Sequence, residues 1–235
     1  MNKIKAKLIA NNQLTDNIYQ LIWELTVGEL IFQPGQYVLI NQEFNEKNIK
    51  RAYSFSSVPS DLPQFELTVR RFDDGLMSSW LTDLPAGSEL EMVAPLGVFT
   101  SDLGKNQRKC LIAIGCGIAP LKSIMQDWLN NNNYEVSLFF GNRFLGGVPY
   151  HEQFEQWQSV NESFHYYPCI SRLREETTEG VYRGRVYEVM DNEIKDFNNQ
   201  DYYLCGSREM IDQVKEYLLA KGVAADNIYF EQIFI

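Results

Sequence analysis

The chain has 235 residues, 45% of them hydrophobic and 22% charged, which is ordinary for a globular protein and argues against disorder. Its formal net charge of −10 argues against general binding to nucleic acid or to an anionic membrane surface, because the protein's field repels polyanions. No stretch approaches the ~18 apolar residues of a membrane span and no signal peptide is visible, so we expect a cytoplasmic protein.

Residues from Lys3 to about Phe99 are predicted to be β-rich. Short apolar or alternating segments are separated by turns that contain proline or glycine. These segments are 18–25, 36–40, 65–70 and 89–93. Short strands at this spacing predict an antiparallel β-barrel domain over residues 1–101. The exception is 75–81, where the apolar spacing predicts one short helix.

A polar segment, 101–109, separates this region from a second domain, which we place at 108–235. There, continuous apolar strands alternate with helical patterns. The strands are 109–114, 136–140, 164–170 and 202–205, and the helical patterns are 121–129 and 208–221. Strands alternating with helices predict an α/β domain with a doubly wound parallel sheet.

Arg51 and Tyr53 lie two residues apart in an extended run, so both side chains should point to the same face of a strand. A guanidinium beside an aromatic plate suits a ligand with a phosphate and a flat ring. Taken alone, the pair is more typical of packing on a half-buried strand.

Two further motifs follow predicted strands of the second half. Gly115 and Gly117, with Pro120, form a turn before a helix, where backbone N–H groups can hold a pyrophosphate. A simple tight turn has the same pattern. Cys205 and Gly206 end the last long apolar strand, where glycine leaves room for a flat ring, although a buried cysteine before a helix cap would look alike.

No nucleophile with an adjacent base is visible, and the two histidines, His151 and His165, have no evident catalytic partner. The four cysteines contain no C-x-x-C pair, so no metal site or iron–sulfur cluster is predicted.

In combination these motifs resemble the ferredoxin–NADP reductase superfamily of flavoproteins. The resemblance spans nearly the whole chain and rests on the joint order of weak motifs. They are Arg51-x-Tyr53-Ser54-x-Ser56, Gly75-x-x-Ser78, Gly115-x-Gly117-x-x-Pro120, Cys205-Gly206-x-x-x-Met210 and a closing aromatic residue.

The resemblance implies roles for residues around bound FAD. Arg51 would hold the flavin pyrophosphate, Tyr53 would stack on the isoalloxazine, and Ser54 would donate toward its N5. Simple alternation turns Ser54 away from Tyr53, so the strand must end or bend there. The other implied FAD contacts are Thr68, Val69 and Arg70 on the next strand, and Gly75, Met77, Ser78 and Ser79 where phosphate is received.

The resemblance also implies a nicotinamide site. Gly115, Gly117 and Pro120 would bind the dinucleotide, with Cys205, Gly206 and Met210 beside the nicotinamide. Glu231 matches an acidic residue that these enzymes keep near the flavin–nicotinamide contact. We therefore predict Ser54, Cys205 and Glu231 as catalytic residues. Phe234 is placed like the terminal aromatic that covers the flavin ring, or it is simply the last apolar residue of a strand.

The nicotinamide substrate is NADPH or NADH, and we favour NADPH. Arg143 and Arg172, with Arg174, Arg183 and Arg185, supply guanidinium groups that suit a 2′-phosphate, although surface arginines would look alike. No acidic residue directly follows Gly141 to hold a ribose diol.

Two kinds of electron acceptor fit the sequence. One is a separate iron–sulfur, flavodoxin or oxygenase partner, and the other is free flavin. A ferredoxin is generally acidic, so a chain of charge −10 would need a local basic patch, for which Lys3, Lys5 and Lys7, or Arg70 and Arg71, are candidates. A non-catalytic flavin- or nucleotide-binding regulatory subunit is the remaining alternative.

Overall fold

The computed structural model describes residues 2–131, 134–173 and 179–233. The chain divides into two compact units. The first unit consists of Met1–Ser101 with Lys122–Asp127, and the second of Asp102–Leu121 with Trp128–Ile235. The middle of the helix that begins at Ile118 is therefore part of the first unit.

The first unit is built on a six-stranded antiparallel sheet with the strand order β4-β3-β6-β1-β2-β5. One helix, α1 (Leu76–Thr82), follows β5. The strands are β1 (Asn2–Gln13), β2 (Ile18–Val27), β3 (Tyr37–Phe44), β4 (Lys47–Ser54), β5 (Gln64–Arg70) and β6 (Glu89–Leu96). This sheet confirms the antiparallel architecture predicted for the first half.

The two outer strands of this order approach each other directly after β4, where Phe55 forms an antiparallel bridge with Leu67 on β5. Phe55 is fully buried, stacks on Phe32 with ring centroids 4.0 Å apart, and meets the edge of Phe65 at 5.6 Å. Aromatic packing of this kind buries a large apolar area and fixes ring directions. The bend after β4 is thus anchored in the core of the first unit.

The second unit is built on a parallel sheet with the order β10-β9-β8-β7-β11-β12. Its strands are β7 (Arg108–Ile114), β8 (Glu135–Asn142), β9 (Phe164–Ile170), β10 (Tyr182–Arg183), β11 (Gln200–Gly206) and β12 (Ile228–Gln232). Its helices are α2 (Ile118–Asn131), α3 (His151–Val160), α4 (Val186–Glu193) and α5 (Arg208–Ala220). The predicted parallel α/β arrangement is confirmed.

The strand order reverses between β7 and β11, because the chain runs outward from β7 to β10 and then returns to β7's other side. In an open parallel sheet, ligands bind beyond the carboxyl ends of the strands at such a switch point. The turn after Ile114 and the turn after Gly206 both lie there. The topology therefore brings together the two glycine motifs of the second half.

A buried ion pair joins β7 to β11 near their amino ends. Lys109 Nζ lies 2.8 Å from Asp201 Oδ2, with the side chains 0% and 1% exposed. Lys109 Nζ also donates to the carbonyl oxygen of Gly104 (3.0 Å), and Asn106 N donates to Asp201 Oδ2 (2.8 Å). These bonds hold the polar segment before β7 against the sheet.

The part of the chain that the structure describes contains no helix long and apolar enough to cross a membrane. The four cysteines are free thiols, and three of them are buried.

Candidate functional site

The Arg51–Ser54 segment forms the end of β4, where Arg51 pairs with Ile40 and Ser54 with Tyr37. The Arg51 side chain is exposed, and its Nη1 donates to the carbonyl oxygen of the preceding residue (2.9 Å). Tyr53 is half-buried and packs against the core of the first unit. The strand ends at Ser54, as the alternation of side chains requires if Tyr53 and Ser54 are to serve one ligand.

Arg70, at the end of β5, carries a buried Nε that has no hydrogen-bond partner. Its guanidinium carbon lies 5.1 Å from the centre of the Phe72 ring. Thr68 and Val69, which precede it, are buried. A buried donor without an acceptor is costly, and an anionic group such as a phosphate would satisfy it. This unpaired donor fits the FAD pyrophosphate expected near this strand.

The turn before α1 is held together by its own serines. Ser78 Oγ accepts from Phe72 N (3.2 Å) and donates to the carbonyl oxygen of Gly75 (3.0 Å), and Ser79 Oγ donates to the Phe72 carbonyl oxygen (3.0 Å). Met77, in the same turn, is buried. A side chain at position 75 would not fit, since its Cβ would lie 2.4 Å from Ser78 Oγ. The serine hydroxyls thus shape this turn, which remains a candidate phosphate loop.

In the second unit, the turn Gly115–Gly117 leads from β7 into α2. Gly115 has φ = +53°, a conformation that glycine adopts without strain. Gly117 packs on the end of β11, because a Cβ there would lie 2.1 Å from the carbonyl oxygen of Cys205. Pro120 lies in the first turn of α2, where its missing N–H costs nothing.

Cys205 and Gly206 face this turn from β11. A Cβ at Gly206 would lie 2.7 Å from Ile114 Cγ1 and 2.7 Å from Met210 Cε, so a larger residue would force both side chains to shift. Cys205 is fully buried, and burial raises the pKa of its thiol. The Cys205 thiol is therefore neutral.

Glu231 lies on β12 in register with Cys205 on β11. Burial raises the pKa of the Glu231 carboxyl to about 7. The carboxyl therefore exchanges its proton near neutral pH, as an acid–base group requires.

We expect the stability of the protein to depend on pH through the ionisation of the Glu231 carboxyl. The folded protein holds the Glu231 proton up to about pH 7, whereas the ordinary pKa is 4.5, so stability falls as pH rises between these values. Between about pH 5 and pH 8, the Tm of the wild type should therefore fall relative to the Tm of Glu231→Gln. Thermal unfolding of both proteins at a series of pH values measures this difference. Parallel pH profiles for the two proteins would contradict the assignment.

Arginines collect at the carboxyl ends of β8, β9 and β10. Arg143 follows β8 and Arg172 follows β9, with Arg172 N donating to the Arg143 carbonyl oxygen (3.0 Å). Arg183 lies on β10, and Arg185 directly precedes α4. All four side chains are exposed. Arg174 and Phe234, also predicted as site residues, lie outside the described residues.

In each candidate basic patch of the first unit, one residue forms an ion pair with an acidic side chain. Lys3, Lys5 and Lys7 are exposed on β1, but they pair across the sheet with 89–93 on β6, and Lys3 Nζ lies 2.8 Å from Glu91 Oε1. The hydrogen bond to Lys3 lowers the pKa of Glu91.

Arg71 forms two hydrogen bonds with the Asp83 carboxylate, at 2.5 and 3.0 Å. The Arg71 guanidinium lowers the pKa of that carboxyl. The positive charges of Arg71 and Lys3 are therefore compensated.

Sequence reasoning missed a buried cluster of polar residues directly after the flavin motif. Glu66 on β5 and Lys122 on α2 form an ion pair at 3.2 Å. The only signal in the sequence is a charged residue within each of two apolar patterns, Phe65–Val69 and Leu121–Met125. Within the described residues, no group of three or more His, Cys, Asp or Glu side chains could hold a metal ion.

An antiparallel unit with an Arg-x-Tyr-Ser strand, and a parallel unit with glycine turns at its switch point, are the features expected of a two-domain flavoprotein oxidoreductase. The family comparisons agree. Residues 5–100 match the oxidoreductase FAD-binding domain, and residues 111–216 match the oxidoreductase NAD-binding domain.

The relatives extend over nearly the whole chain. Ferredoxin–NADP reductase B of Sorangium cellulosum is 28% identical, with 93% of this chain and 91% of that protein aligned. The toluate 1,2-dioxygenase electron transfer component of Pseudomonas putida is 29% identical over 94% of this chain, which spans 64% of that relative. A ferredoxin NADP+ reductase from Neisseria gonorrhoeae, solved with bound FAD and NADP, has the same fold (TM-score 0.86, 18% identity, 100% of both chains).

The chain belongs to the ferredoxin–NADP reductase superfamily and is an FAD-dependent NAD(P)H oxidoreductase. The alternative of a non-catalytic regulatory subunit is therefore set aside.

Proposed function

We propose that the protein transfers hydride from NADPH to bound FAD and then passes electrons to a separate acceptor of the ferredoxin, flavodoxin or oxygenase type. The observation that carries this proposal is the close backbone approach of Gly117 to Cys205 at the switch point of the parallel sheet. Such a glycine turn suits a dinucleotide, whose nicotinamide would then lie beside Cys205.

The chain's own residues bind and orient rather than react covalently. Arg51 and Arg70 supply guanidinium groups for the flavin pyrophosphate, and the unpaired Nε of Arg70 supports this role. Tyr53 offers its ring for stacking, and Ser54 a hydroxyl for hydrogen bonding. FAD held by these residues would supply the capacity to accept hydride and to release electrons singly or in pairs.

In the second unit, Cys205 presents a neutral thiol, because burial raises its pKa. Glu231 holds a proton near neutral pH for the same reason. Neither group is a strong nucleophile in this state, so we attribute rate acceleration to position and to exclusion of water.

The reductase reaction is tested by mixing the purified flavin-loaded protein with NADPH without oxygen. We expect the flavin absorbance to bleach. A protein that stays yellow would contradict hydride transfer to its flavin.

A second candidate function is an NAD(P)H-dependent flavin reductase that releases free reduced flavin. The ion pairs Lys3–Glu91 and Arg71–Asp83 favour it. Because these basic groups are already compensated, a chain of net charge −10 would repel an acidic ferredoxin. Steady-state assays with a ferredoxin or with excess free FMN as acceptor separate the two functions. Turnover with ferredoxin supports the first, and turnover with FMN alone supports the second.

The preference for NADPH rests on the exposed arginines at the carboxyl ends of β8 and β9. We expect Arg172→Ala, and to a similar extent Arg143→Ala, to raise the KM for NADPH by about tenfold, the effect of one lost charge-assisted hydrogen bond. The KM for NADH should hardly change, because NADH lacks the 2′-phosphate.

The matched control for these variants is Arg108→Ala. Arg108 begins β7, at the opposite end of the same sheet, and should alter neither KM. An arginine variant that weakens NADPH and NADH equally would overturn the assignment of that residue to the 2′-phosphate.

A further inference from the structure

The strand that carries Tyr53 and Ser54 changes its partner within one residue. Ser54 pairs with Tyr37 on β3, whereas Phe55 forms a bridge with Leu67 on β5. Regular alternation stops at such a bend, so the direction of the Ser54 side chain depends on how the chain is held directly afterwards.

Buried hydrogen bonds among five residues hold the segment that follows Phe55. Ser56 Oγ donates to Glu66 Oε1 (2.7 Å), and Lys122 Nζ donates to the Ser56 carbonyl oxygen (2.8 Å). Ser57 Oγ accepts from Glu66 N (2.9 Å), and the Ser57 carbonyl oxygen accepts from Ser123 Oγ (2.5 Å). We call these five residues, which all belong to the first unit, the motif clamp.

The charges of the motif clamp are enclosed. Lys122 Nζ lies 3.2 and 3.3 Å from the two carboxylate oxygens of Glu66, and the side chains are 3% and 11% exposed. Gln20 Nε2 donates to Glu66 Oε2 (2.6 Å). A buried ion pair generally stabilises a fold no more than well-packed apolar side chains would. It does impose direction, because each donor must face its acceptor.

We propose that Lys122 and Glu66 are positioning residues for the flavin motif. Their ion pair fixes Ser56, and through the adjoining backbone it sets the directions in which Ser54 and Tyr53 meet the FAD. Neither charged residue needs to touch the flavin to act in this way. The inference rests on the proposed flavin-binding roles of Tyr53 and Ser54.

The test is Lys122→Met in the full chain, which leaves the Glu66 carboxylate without its cation. FAD dissociation is measured from the recovery of flavin fluorescence on dilution of the holoenzyme. We expect the Kd for FAD to rise by about tenfold, comparable to the loss of one well-oriented hydrogen bond to a charged group. The visible absorption spectrum of the bound flavin should also shift, because the ring's stacking partner moves.

Lys109→Met is the matched control. It removes an equally buried lysine from a carboxylate 2.8 Å away, but in the second unit. It should lower the Tm without changing the Kd for FAD or the flavin spectrum. If Lys122→Met lowers the Tm in the same way but binds FAD with unchanged affinity and spectrum, the clamp is purely structural and the proposal is overturned.

Ser123→Ala covers the case in which Lys122→Met does not fold. It removes one hydrogen bond of the motif clamp and no charge, and should raise the Kd for FAD by about threefold. An unchanged Kd would overturn the proposal. If the wild-type protein does not bind FAD, the proposed flavin site is wrong. If wild type and variants bind FAD equally well, only the positioning role is wrong.

Discussion

Replacing Lys109 with methionine should lower the free energy of unfolding by about 3–5 kcal/mol, the cost of leaving one partner of a buried ion pair uncompensated. Asp201, whose side chain is only 1% exposed, would be left without its cation. Cation–π contacts of Lys109 Nζ with the rings of Tyr134 (4.7 Å) and Trp128 (5.3 Å) would also be lost. Urea unfolding followed by circular dichroism measures the change, and the Tm should fall by about 10 °C.

The double variant Lys109→Met/Asp201→Asn separates charge from packing. The substituted amide is neutral but keeps a carbonyl oxygen for Asn106, whose N and Nδ2 donate to the Asp201 carboxylate at 2.8 and 2.7 Å. We expect the double variant to be more stable than Lys109→Met alone. If the two substitutions simply added their losses, the unpaired charge would not be the cause of the destabilisation.

Gly117→Ala should lower kcat/KM for NADPH by about 100-fold, as expected when reacting groups are displaced by about 1 Å. The new Cβ would meet backbone atoms, the Cys205 carbonyl oxygen at 2.1 Å and Gly206 N at 3.0 Å, so no side-chain rotation can relieve the clash. The turn or the end of β11 must move, and both belong to the proposed nicotinamide site. Steady-state kinetics with NADPH will measure the loss.

Gly146→Ala is the control for this substitution. It makes the same chemical change in a turn of the same unit, but its Cβ would find nothing within 4 Å. It should leave kcat/KM unchanged, and both variants should retain FAD. A Gly117→Ala enzyme with wild-type kinetics would show that the close approach of the turn to β11 has no part in catalysis.

Much of the architecture could be predicted from periodicity. Alternation over 18–25 and 65–70 predicted β2 and β5, and the apolar runs 109–114 and 136–140 predicted β7 and β8. These patterns are informative because the backbone geometry of a strand or helix sets the spacing of the residues that it buries. Elements that were not predicted include α3, α4 and β12, which are short and mix apolar with charged residues.

The candidate site was predictable only in part. Gly117 and Gly206 stand out in the sequence as glycines at strand ends, but only the structure shows that a side chain at Gly117 would clash with the backbone of Cys205. Glu231 shows nothing unusual in sequence, and its pKa of about 7 arises from burial in the folded chain. The role predicted for Glu231 therefore depends on the family resemblance, and only the tertiary structure places the residue in register with Cys205.

The partners of the buried charged residues could not be predicted from the sequence. Lys122 and Glu66 are 56 residues apart in the chain, and Lys109 and Asp201 are 92 apart. Strand and helix patterns depend on neighbours a few residues away, and these were enough for the two sheets and for the order of the motifs. Which charges meet inside the protein depends on long-range chain packing, because only the enclosed, low-dielectric interior makes each buried charge require its partner.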